Sequence, residues 1–149
     1  MKKLLLVTLF IVVTTVGCKV PSAAMKKESA AISMEYEALT RGSYSKVIVK
    51  QDTVITIKDR EMKNVATSSL SKSDWNSLLS LLEKVDTDKL NQLKPPSTKH
   101  QFDGALLANL SVVRGDKTNR STTFDHGNPP AEIKELVEKI ISVSDLRKK

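Results

Sequence analysis

Four residues in two short stretches hold most of the sequence's capacity for chemistry. "HQFDG" (100–104) carries His100 and Asp103, and "FDHGNPP" (124–130) carries Asp125 and His126. These are both histidines of the chain and two carboxylates. Histidine with carboxylate is the usual ligand set of a zinc site with an open position, and also makes a general base with its orienting partner. Nothing in the sequence completes either arrangement. There is no H-E-x-x-H, no H-x-H and no glycine-framed nucleophilic serine; Ser121, Thr122 and Thr123 fall in an expected strand. A structural reading uses every residue. Asp103 and Asp125 accept backbone N–H bonds in Asx-type turns, Gly104 and Gly127 supply unusual φ values, and Pro129 and Pro130 launch a helix. His126 then braces the corner through a ring hydrogen bond. The expectation is a hydrogen-bonded polar corner, with no catalytic residue, metal or cofactor assigned. Arg41, in "TRGSY", is a further candidate that either pairs with a carboxylate of this corner or faces water.

For these stretches to meet, the chain must bring them to one end of a sheet. In "ISMEYEAL", Ile32, Met34, Tyr36 and Ala38 alternate with polar residues, the period of a half-buried strand. "SKVIVK" and "TVITIK", rich in β-branched residues and separated by Gln51-Asp52, read as a hairpin. Three strands are thus expected near 32–39, 45–50 and 53–59. Ser71 to Asp74 fits an S-x-x-D capping box with Leu70 and Trp75 as a hydrophobic staple. Leu78, Leu79, Leu82 and Val85 extend an amphipathic helix over 72–85. Pro95 and Pro96 forbid a continuing helix, so 86–99 is a connection whose Leu90 and Leu93 plug into the core. "DGALLANLSVV" gives a fourth strand with Leu106, Ala108, Leu110 and Val112 on one face. "RGDKTN" is a turn rather than an adhesion motif, and "RSTTF" is a fifth strand. Ile133, Leu136, Val137, Ile140 and Ile141 mark a last helix, with Pro130 and Glu132 suited to its start and Glu135 and Lys139 as an i,i+4 pair.

The expected order is β-β-β-α-β-β-α. It gives an α+β fold: one antiparallel sheet of about five strands carrying two amphipathic helices on one face. A hairpin between the fourth and fifth strands sets "HQFDG" beside "FDHG".

The N-terminus reads as a signal peptide over 1–17. Lys2 and Lys3 precede an apolar run, Leu4 to Val16, too short to span a bilayer as a helix. Gly17 directly before Cys18, the only cysteine, resembles a bacterial lipobox, although Thr15 stands where leucine is usual. On this reading Cys18 is lipidated, which leaves no thiol for catalysis or a disulfide. Residues 18–31 are then the lipidated cysteine and a flexible tether, 32–144 a single domain, and 145–149 a basic tail. Removing the signal lowers the formal charge from +7 to +5, 22 basic against 17 acidic residues. That mild, dispersed excess and the scarcity of aromatics argue against nucleic acid as a partner.

"TRGSY", "DWNSLLSLL", "LKPPS", "FDGA" and "FDHGNPP" together resemble a family of small bacterial envelope lipoproteins without assigned activity, over residues 33 to 141. The resemblance implies an α+β domain on a lipid anchor and no particular substrate or cofactor. The expected function is a non-enzymatic, lipid-anchored envelope module that binds another protein or an envelope polymer. The alternative is a small hydrolase or metal-dependent enzyme using the His/Asp cluster. The expected location is the bacterial cell envelope. Lys19 after the cysteine, in place of a retention-type aspartate, favours the outer membrane. Oligomeric state is not set by the sequence.

Overall fold

A computed structural model describes residues Val20–Leu146; the expected signal peptide, Cys18, and Arg147 to Lys149 of the basic tail lie outside the described residues. The fold is α+β with an antiparallel sheet, but the sheet has seven strands rather than about five. The strands are β1 (Ile32–Leu39), β2 (Tyr44–Val49), β3 (Thr53–Ile57), β4 (Val65–Ser69), β5 (Leu107–Arg114), β6 (Lys117–Arg120) and β7 (Phe124–Asp125). They lie in the spatial order β4-β3-β2-β1-β5-β6, and β7 pairs with the start of β5. Helices α1 (Ala23–Glu28), α2 (Lys72–Leu82) and α3 (Ala131–Val143) complete the chain order α-β-β-β-β-α-β-β-β-α.

Alternation decides which face of the sheet is covered. Ile32, Met34, Tyr36 and Ala38 of β1 are buried, and so are their cross-strand partners Val47, Val49, Ala108, Leu110 and Val112. Against them pack Trp75, Leu78, Leu79 and Leu82 of α2, with Ile133, Leu136, Val137 and Ile140 of α3. Side chains of the opposite parity are wetter and pair across strands. Glu35 meets Lys46 at 2.8 Å, and Glu37 meets Arg120 at 3.0 Å and the Tyr44 hydroxyl at 2.9 Å.

Capping fixes where α2 begins. The Ser71 hydroxyl oxygen accepts the Asp74 N–H at 3.0 Å, while Leu70 and Trp75 are both buried as a staple requires. Asp74 also meets Lys139 at 2.6 Å and Lys84 meets Glu135 at 3.4 Å, so charged residues of the wet helix faces join α2 to α3. No helix among the described residues is long and apolar enough to cross a membrane.

Four expectations change. β4, "VATSS", was not expected. It is an edge strand paired only to β3 and largely exposed, so it carries no apolar alternation to read. The single fifth strand is divided into β6 and β7, because the intervening residues turn toward the core connection. There the Thr122 N–H donates to Leu90 O at 3.1 Å, its hydroxyl to Leu93 O at 2.6 Å, and the Ser121 hydroxyl oxygen accepts the Leu110 N–H at 3.0 Å. The stretch expected as a tether is structured from Ser22 onward. Met25 of α1 is buried, and both the N–H and the hydroxyl of Ser22 donate to Glu83 at the end of α2. At the other terminus, the Asp145 N–H donates to the Thr56 hydroxyl at 3.1 Å, so the tail begins as part of the body.

Candidate functional site

The polar corner forms where β7 ends beside the start of β5. The register Leu107↔Asp125 and Ala108↔Phe124 places the two stretches side by side. Phe124 enters the core, so the alternation of β7 sends Asp125 to the other side, where it is buried at 2 % exposure. A lone buried carboxylate is costly unless its oxygens are satisfied. Here one oxygen accepts the His100 N–H at 2.7 Å and faces His100 Nδ1 at 2.6 Å. The other accepts the Lys99 N–H at 2.9 Å and the Ser97 hydroxyl. Burial alone would push this carboxyl up; the bonds from Ser97, from His100 and from Lys99 outweigh it and hold it well below the usual carboxylate range. Asp125 is therefore ionised at neutral pH and acts only as an acceptor, which puts the Nδ1 proton on His100.

His126 takes the opposite direction. Its N–H donates to Leu106 O at 2.9 Å, and its Nδ1 lies 2.6 Å from the hydroxyl of Tyr36. Tyr36 is fully buried in the middle of β1, and burial pushes its phenol far up, so the hydroxyl keeps its proton and donates it to Nδ1. Burial pushes the His126 imidazole down, toward the neutral form that can accept this bond. The turn closes with the Asn128 N–H on Asp125 O at 2.8 Å, and Asn128 Nδ2 reaches Ser97 Oγ at 2.8 Å. Gly127 sits at φ 84°, a conformation that L residues adopt only at a cost, and a Cβ there would meet no atom within 4 Å. Gly127→Ala should therefore cost about 1–2 kcal/mol through backbone strain alone. Gly42→Ala, at a turn without positive φ, should leave the melting temperature nearly unchanged.

Of the four residues expected together, only two meet. His100 joins Asp125, and His126 joins Tyr36. Asp103 joins neither pair; it is exposed in the left-handed conformation, φ 56°, where it ends the 3₁₀ turn Lys99–Phe102. Among the described residues no three His, Cys, Asp or Glu side chains are grouped to hold a metal ion. Arg41 bonds to no corner carboxylate in the hydrogen-bond and ion-pair geometry; instead it lines a cleft of about 260 Å³ with His100, Asp103, Arg60, Leu39, Thr40, Ala105 and Leu107. In comparison with known proteins, no family model matches the chain and no curated protein shows significant similarity to it.

Sequence reasoning missed Ser97, Tyr36 and Arg60. Tyr36 carried a signal, because a tyrosine on the apolar face of a central strand must find a partner for its hydroxyl. Arg60 carried none. It comes from the β3–β4 connection, and its Nη2 donates to Thr40 O at 2.5 Å across the sheet end.

Proposed function

We propose that the chain is a lipid-anchored bacterial cell-envelope protein that works as a non-enzymatic binding module, and that the cleft of Arg41, Arg60 and His100 is its binding surface for an envelope protein or polymer. The observation that carries this reading is how the corner spends its polar groups. Asp125 is saturated by Ser97, Lys99 and His100, which fixes the His100 ring at the cleft wall. The corner is thus a rigid mount, and the donors of Arg41 and Arg60 lie beside it at the mouth. The α1 segment enters the sheet at the Ile32 end of β1, where Gly115 N–H meets Ala31 O, while the cleft lies at the Leu39 end. Eight residues of β1 separate them by roughly 24 Å at 3.4 Å per residue. An anchor at Cys18 would therefore leave the cleft away from the segment that leads to the lipid.

A second reading rests on one contact. Asp125 beside His100 Nδ1 at 2.6 Å is the geometry of an oriented general base, so a hydrolase would use His100 with Asp125 behind it. Crosslinked pull-down from cells separates the two. The binding module predicts that Arg41→Glu with Arg60→Glu loses the captured partner and the cellular phenotype together. A phenotype abolished by His100→Gln with capture intact would favour the hydrolase. For the anchor, Cys18→Ser should move the protein from the membrane to the soluble fraction, and continued membrane association would count against lipidation.

A further inference from the structure

The cleft's donors and acceptors specify a ligand class, and the following inference rests on the binding-module reading above. Arg41 and Arg60 line this cleft and also a second one of about 260 Å³, with Gly42, Ser43, Tyr44, Lys58 and Asp59, so the two arginines border both open spaces. A guanidinium has five N–H donors and no acceptor. The Arg60 bond to Thr40 O holds its fork in place and leaves most of those donors unspent. The Asp59 carboxylate accepts the N–H groups of Lys63 and Asn64, and Asp125 is held by its own cradle, so neither is bonded to the arginines. That arrangement favours an oxyanion, which accepts from planar forks bidentately.

The other wall is an acceptor wall. His100 borders this wall with Nδ1 engaged by Asp125 and only 5 % of its side chain exposed, so it gives the wall its shape. The exposed Asp103 side chain lines the same wall and supplies carboxylate acceptors. Inorganic phosphate carries its P–OH protons on the same phosphorus that the arginines hold, whereas a polyol phosphate carries hydroxyl donors several bonds further away. A ligand that carries hydroxyl groups beside its oxyanion satisfies both walls at once. A phosphate offers three terminal oxygens to two separate arginines, where a carboxylate offers two.

We propose that this cleft binds the phosphate of a polyol or sugar phosphate, with Arg41 and Arg60 on the phosphate and Asp103 accepting from its hydroxyl groups. A soluble molecule and a phosphoglycerol head group present the same phosphate chemistry to this cleft. The test is calorimetric titration of the full chain carrying Cys18→Ser with glycerol 1-phosphate, inorganic phosphate, gluconate and glycerol. Glycerol 1-phosphate should bind at least tenfold more tightly than any of the other three. Arg41→Ala with Arg60→Ala should weaken it at least tenfold. Asp103→Asn should reduce the preference for glycerol 1-phosphate over phosphate without weakening phosphate itself. Sedimentation with phosphatidylglycerol vesicles then assigns the source: arginine-dependent co-sedimentation places it in a head group, and its absence with glycerol 1-phosphate binding intact places it in a soluble ligand. Equal affinity for phosphate and glycerol 1-phosphate, or affinity unchanged by the arginine variants, overturns the proposal. If the arginine variants lose the crosslinked partner but none of the small ligands binds, the ligand class fails and the binding module stands. If they keep the partner, the module reading itself fails.

Discussion

Asp125→Ala should cause the largest loss of stability of any single polar substitution in this protein, a fall in melting temperature on the order of 10 °C. The substitution removes one side chain and orphans several donors. The Lys99 and His100 N–H groups, the Ser97 hydroxyl and the His100 ring all aim at that carboxylate. Two are backbone donors of the 3₁₀ turn Lys99–Phe102, so the turn that positions His100 and Asp103 should loosen with them. Asp125→Asn should cost less, since it keeps one acceptor oxygen, yet it sets an amide NH₂ against one side of the donor set. The acid dependence has a fixed sign. The native carboxyl titrates below its unfolded value near 3.9, so ionised Asp125 stabilises the fold in full above that value, and the stabilisation is lost as pH falls below it. Melting curves from pH 6 to pH 2.5 should show a steep decline in the wild type and a shallower one in Asp125→Asn. Parallel curves would show that this carboxylate is not an acid-sensitive anchor.

The difference between what the sequence reveals and what it hides follows from the range of each interaction. β1 is legible to its ends because its alternation, Ile32 to Leu39, is a local pattern that burial reproduces residue by residue. The start of α2 is legible for the same reason, since Ser71 caps a helix three residues away. β4 is not, because "VATSS" becomes a strand only by hydrogen bonding to β3 at an exposed edge. The stretch Ser22–Ala31 looks like a linker by composition, but its order comes from Glu83, sixty-one residues away, and from a pocket for Met25. The corner divides along the same line. That "HQFDG" and "FDHG" meet follows from hairpin pairing. Which side chains meet follows from strand parity after Phe124, which sends Asp125 and His126 to opposite sides. Arg60 enters the cleft from a loop that local pattern cannot place.

His126→Ala should destabilise the protein by about 1–3 kcal/mol at neutral pH, the cost of leaving the buried Tyr36 hydroxyl without its acceptor. Tyr36→Phe should cost less, because it removes the buried polar group, and the more exposed imidazole can turn to water. The double variant should then be more stable than the sum of the single losses, a coupling that a double-mutant cycle reads directly. Acidification tests the same bond independently. The folded-state value of His126 lies below its unfolded value near 6.5, because burial disfavours the imidazolium, and protonation would also remove the lone pair that Tyr36 donates to. Neutral His126 therefore stabilises the fold in full above pH 6.5, and that contribution is lost as pH falls below it. Between pH 7.5 and 5.5 the wild type should lose melting temperature by more than His126→Ala does, and Tyr36→Phe should weaken the dependence. An additive cycle would mean that the ring does not serve Tyr36. If His126→Ala left the melting curve unchanged but abolished capture of the envelope partner, the imidazole would belong to the binding surface, and the corner would have a second face that contacts ligand.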